Sequence, residues 1–169
     1  MTHARDNFIT WLRNAHAMEE QAVTLLTAQA RRIESYPDLK DRVLEHLEET
    51  RGHVAALTEM LEKFAVTTPT FKDMTAKLAA TAQRVGGLLV SDEVIKTMTT
   101  AFAFEHTEIA TYKVLIAAAD ELDEPEAVAV FEHILSEEED MAEWLNDNMD
   151  SITRIFLMRD ERDVQAKRE

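Results

Sequence analysis

Three glutamates in this chain stand where a helix would bury them. Glu19 lies at the centre of an apolar stripe made by Leu12, Ala15, Val23 and Leu26, at the helical spacing of three and four residues. Glu138 is equally central between Phe131, Leu135, Ala142 and Leu145, and Glu105 lies between Phe102 and Ile109. A further segment carries His46 and His53 on the near edge of its apolar face, with Glu49 at the boundary one turn from each. Glu108, one turn after Glu105, can serve as another inward group or stay solvated. In the acidic run Glu137 to Asp140 only Glu138 is expected to turn inward.

Groups that share a site must also share a level along the helix axes. Glu19 and His53 are equally far in sequence from Tyr36, at the first turn, so a hairpin sets them opposite one another. Glu105 and Glu138 are centred in the same way on the second turn, near Leu122. All four therefore fall at mid-helix in one layer. Several carboxylates buried together repel one another and resist desolvation, so protons or cations must neutralise them. Carboxylates and imidazoles on facing helices are the ligand types of di-iron and di-manganese helical bundles, and zinc accepts the same donors. A metal-free core with protonated carboxylates is the competing expectation.

The elements that position these residues are long helices. Period-three-and-four patterning runs from Ala4 to Ser35, from Pro37 to about Phe64, from Ser91 and Asp92 to about Ala119, and from Pro125 through Met149. The last pattern reaches on toward Ile152, Ile155 and Phe156, and residues 151–169 are expected to be a helical or frayed extension of a bundle formed by residues 1–150. Between the second and third helices, Phe71 to Arg84 reads as a short amphipathic helix closed by Gly86 and Gly87. A connector of that length can cross the bundle and leave helices 2 and 3 parallel. The expected fold is all-α: a ferritin-like four-helix bundle with a long helix-containing crossover.

Composition narrows the function. With no cysteine there are no thiolate ligands, iron–sulfur clusters or disulfides, so any metal must sit on oxygen and nitrogen. A net charge of -15 opposes nucleic acid and anionic lipid as partners. No apolar run is long enough for a membrane span, and Met1 to Asn7 is polar instead of signal-like, so a cytoplasmic location is expected.

In order and spacing, LRNAHAMEEQ (Leu12 to Gln21), HLEETRGH (His46 to His53), FEHTEIATY (Phe104 to Tyr112) and LSEEEDMAEWL (Leu135 to Leu145) resemble the four helix motifs of the YciF-type bacterial stress proteins, a ferritin-like branch. The resemblance covers about residues 8–148. It implies a cytoplasmic, stress-induced homodimer with a dinuclear metal site drawn from Glu19, Glu49, Glu105 and Glu138, with His46, His53 and Glu108 nearby. Glu49 and Glu105 are the expected bridges, and Glu19, Glu138 and His53 the terminal ligands. Two departures from the wider superfamily stand out: Met141 occupies the place of helix 4's usual histidine, and His53 follows Glu49 by four residues instead of three. The expected function is a metal-binding stress protein, with oxidase or peroxidase activity on oxygen or hydrogen peroxide as its finer form. A metal-free helical interaction protein acting as a dimer, or an iron-storage cage, are the alternatives.

Overall fold

The computed structural model describes residues 2–64 and 93–166. They form four helices: α1 (Thr2–Arg32), α2 (Pro37–Phe64), α3 (Glu93–Glu121) and α4 (Pro125–Ala166). Pro37 and Pro125 each open a helix at the position where a missing N–H leaves no bond unmade. The turn between α3 and α4 closes through Glu124 N to Ala119 O, 3.0 Å, with Asp123 in the left-handed region at a φ of 54°. An Asp tolerates that conformation better than most side chains. The expected connector helix, Phe71 to Arg84, and its caps lie outside the described residues.

Packing is most extensive within two hairpins, α1 with α2 and α3 with α4, while α1 meets α3 and α2 meets α4 along thinner seams. Two apolar clusters fill the interior. One joins Phe8, Leu12, Leu57, Phe64, Tyr112, Leu115 and Phe131, with the Phe8 and Phe64 rings edge to face at 5.2 Å. The other joins Leu26, Ile33, Val43, Leu47, Met98, Met141 and Leu145. The first gathers the C-terminal halves of α2 and α3, and the second their N-terminal halves. Helices α2 and α3 therefore run parallel, as the long crossover requires, and the fold is the expected all-α bundle of ferritin-like topology.

Helix α4 continues through residue 150 without a break and, at 42 residues, is about 63 Å long, well beyond its neighbours. Ile152 stays buried in the second cluster. Farther along, Arg159 lies 4.8 Å over the Tyr36 ring and donates to the Ser35 carbonyl, fastening the overhang to the first turn. At the opposite end, Arg5 pairs with Glu124 at 3.1 Å and Lys63 with Glu126 at 2.5 Å. Among the described residues no helix is long and apolar enough to cross a membrane.

Candidate metal centre

Between the two apolar clusters lies a polar layer. Glu19, His46, His53, Glu105, Glu108 and Glu138 are all buried in it, and Glu19 and Glu138 have no exposed surface. Two groups converge. In one, His53 Nδ1 lies 3.0 Å from Glu138 Oε1 and 3.4 Å from Glu19 Oε2. In the other, His46 Nε2 lies 3.4 Å from Glu138 Oε2 and 3.3 Å from Glu105 Oε2. Each trio has donor atoms within 4.8 Å of one another. Glu138 belongs to both and turns one oxygen to each.

The outward-facing nitrogen of each imidazole is held by a carboxylate. His46 Nδ1 meets Glu49 Oε2 at 2.8 Å, and His53 Nε2 meets Glu137 Oε2 at 2.7 Å. That arrangement fixes the ring and aims its other nitrogen inward, the usual second support of a metal-ligating histidine. Glu49 is itself gripped by Arg42, 3.3 Å from both carboxylate oxygens. On the far side, the buried Tyr112 hydroxyl donates a short hydrogen bond to Glu19 Oε1.

The inward approaches are ion-pair close yet poorly aligned as hydrogen bonds. Among the described residues, Glu19 Oε2, His53 Nδ1, Glu105 Oε2, Glu108 Oε1 and both oxygens of Glu138 are buried and have no hydrogen-bond partner. Buried polar atoms are seldom left so, since each costs about 1–3 kcal/mol. Lone pairs that converge on common points without a well-aligned donor between them fit a cation, and oxygen with imidazole nitrogen is a donor set for divalent first-row metals.

Without metal the layer must hold protons. Burial works against charge on His46, but Glu105, Glu138 and Glu49 outweigh it and push the imidazole up to about 12. His53 rises to about 10 in the same contest, through Glu138 and Glu19. Glu105 is pushed up to about 7, chiefly by burial, with His46 opposing. Burial also raises Glu19 and, more strongly, Glu108. Glu138 goes the other way, down to about 2, because the two imidazoles overcome its burial. Glu49 is lowered by its bond to His46.

Of the seven residues singled out from the sequence, five lie in the two groups: Glu19, His46, His53, Glu105 and Glu138. Glu108 is buried in the same layer but belongs to neither, and Glu49 sits outside both, behind His46. Glu137 and Arg42 were not anticipated. Glu137 lies off the apolar stripe of α4 and reaches His53 only through its side-chain length. Arg42 lies two turns before Glu49 on α2, a spacing that could have signalled the pair. His16 binds Thr58 Oγ1 at 3.0 Å and His133 is largely exposed, and neither belongs to either group.

Residues 3–158 match the family described as Domain of unknown function (DUF892). The chain belongs to that family. Among solved structures, protein XCC3681 from Xanthomonas campestris pv. campestris is 39% identical with a TM-score of 0.79, over 94% of this chain and 99% of that one. The Escherichia coli stress protein YciF is 26% identical with a TM-score of 0.72, over 88% and 96%. A ferritin-like, diiron-carboxylate protein from Bacillus anthracis shares the fold, with a TM-score of 0.70 at 21% identity over 88% and 99%. The resemblance to YciF-type, ferritin-like proteins read from the four motifs is met by these neighbours.

Proposed function

We propose that this DUF892 chain binds two divalent first-row metal ions in the polar layer, one at Glu19, His53 and Glu138 and one at His46, Glu105 and Glu138. The observation that carries the reading is Glu138, buried with an oxygen directed to each histidine and neither oxygen hydrogen-bonded. Glu138 is then the bridge, Glu19 and Glu105 are terminal ligands, and Glu49 and Glu137 orient the two imidazoles. Glu108 is a reserve carboxylate on the His46 and Glu105 side. Iron or manganese suits an all-oxygen-and-nitrogen set, with zinc the competitor. A bound pair would supply two Lewis-acidic, redox-capable centres with open positions, the basis for oxidase or peroxidase chemistry. A stress role rests on likeness to YciF. A cytoplasmic homodimer is part of the same proposal.

The test is elemental analysis of protein purified without added metal, followed by titration with Fe(II), Mn(II) and Zn(II) under anaerobic conditions. About two equivalents are expected. No uptake above background would remove the assignment. One observation favours a second reading: His46 and His53 each lie within 3.4 Å of two buried carboxylates, which favour the charged imidazole and so offset part of the carboxylate charge. On that reading the layer is a permanent imidazolium–carboxylate network inside a helical interaction protein. Proton release separates the two, since metal must displace protons from the histidines and a fixed network releases none.

A further inference from the structure

Along the thin seam between α1 and α3 a crevice of about 40 Å³ leads from the surface to the polar layer. Its mouth is formed by Leu25, Gln29, Thr100 and Phe104, all partly or fully exposed. Its walls narrow to the buried Ala22, Leu26 and Ala101. It ends on His46, Glu105 and Glu108, where Glu105 Oε2 and Glu108 Oε1 are buried without a hydrogen-bond partner. Two of the narrowing positions are alanines, and a larger side chain at either would close the passage.

We propose that this crevice is the entry and holding site for a neutral diatomic gas of the size of dioxygen, delivering it to the His46, Glu105 and Glu108 side of the centre. The inference rests on the metal reading above and adds to it the class of co-substrate and the side from which it arrives. The volume is well below the roughly 150 Å³ of a cavity that takes benzene, which leaves it too small for organic substrates of that size. The walls carry no charge before the floor and a single buried, unbonded polar atom, Gln29 Oε1, so an ion would lose most of its hydration without replacement. An apolar guest loses nothing along the apolar stretch of the walls, where it meets the kind of surface that takes a gas atom in apolar cavities.

The test uses the full chain and two probes. In the metal-free protein, xenon pressure should shift the methyl NMR signals of Ala22, Leu25, Leu26 and Ala101, and Ala101→Leu should abolish those shifts. In the Fe(II)-loaded protein, nitric oxide should bind about tenfold more slowly in Ala101→Leu, with the Fe(II) stoichiometry unchanged. Leu25→Ala widens the mouth and should accelerate nitric oxide binding, which keeps the proposal testable if the larger side chain impairs folding. Xenon shifts confined to other methyls, or nitric oxide rates equal in all three proteins, would overturn the crevice. Failure of the unsubstituted protein to take up Fe(II) would instead overturn the metal reading, and the xenon result would stand apart from it.

Discussion

The two halves of the polar layer are assembled from the same parts and finished differently. Each has a histidine from α2, its outward nitrogen tied to a carboxylate, and each takes one oxygen of Glu138. The half around His53 is closed: Glu19 is fixed by the Tyr112 hydroxyl, and both are wholly buried. The half around His46 has no such cap. Its second carboxylate, Glu105, sits beside the unbonded Glu108 at the foot of a passage to the surface. A ligand set with every outer atom held favours a fixed ion. One with a spare carboxylate and an opening favours exchange of ligands.

The largest expected effect removes what the halves share. Glu138→Gln should abolish the metal-dependent rise in melting temperature entirely, because both ions lose a charged ligand. The metal-free fold should also lose about 3 kcal/mol, since two buried imidazoliums keep their charge and lose their common partner. This loss is the opposite of what a lone repelled carboxylate would show, and it follows from the depressed value of Glu138. A depressed carboxylate stabilises the fold above its ordinary range and ceases to do so as pH falls toward about 2. Melts of wild type and variant at neutral pH, with and without metal, settle both points.

Next in size, His53→Gln and His46→Gln should each reduce the titrated stoichiometry from about two to about one. If the comparison is right, the ion left in His46→Gln exchanges slowly and the ion left in His53→Gln exchanges quickly. Equal off-rates into a chelator would erase the distinction between a closed and an open half.

Opposing pH trends come third. The raised histidines stabilise the metal-free fold fully below their ordinary value of 6.5, and this contribution is lost as pH rises through about 10 for His53 and about 12 for His46. Metal binding needs those protons gone, so the metal-dependent increment should grow across the same alkaline range. Chemical denaturation at several pH values, in chelator and in metal, checks whether the two curves diverge. Smaller again, Tyr112→Phe should weaken the closed half alone, and Glu49→Gln the open half alone, each about 10- to 100-fold in affinity.

The smallest effect serves as a control. Gly52 lies inside α2 next to His53, and a Cβ there would meet nothing within 4 Å. Gly52→Ala should stabilise the protein by about 1 kcal/mol and leave metal stoichiometry untouched. A change in metal content would mean that helix rigidity, and not only ligand identity, sets the site.

Helical periodicity made Glu19, Glu105 and Glu138 legible because each sits mid-stripe, where no rotation of the helix brings it to solvent. Equal distances from the two turns gave their common level, and the long crossover gave the parallel pair. Boundary positions were another matter. The spacing puts His46 at the edge of a face, yet it is buried, because the covering comes from α3 and α4 and not from its own helix. Glu49 and Glu137 occupy similar boundary angles and both turn toward a histidine, a choice made by side-chain length and by neighbours such as Arg42. That Glu138 would be shared was equally invisible, since one helix's pattern says nothing of the direction of each carboxylate oxygen.

Both His and Glu trios draw on the two hairpins, while each hairpin on its own is local in sequence and closed by a short turn. Chain segments close in sequence meet at little loop-closure entropy, so the hairpins are expected to form before they dock. Neither trio exists until docking is complete. An ion held there stabilises the finished structure without stabilising the encounter that leads to it, and interactions of that kind slow unfolding while leaving the folding rate nearly unchanged. The polar layer is thus a latch that acts on lifetime: once loaded, the bundle should persist for longer, although it assembles no faster.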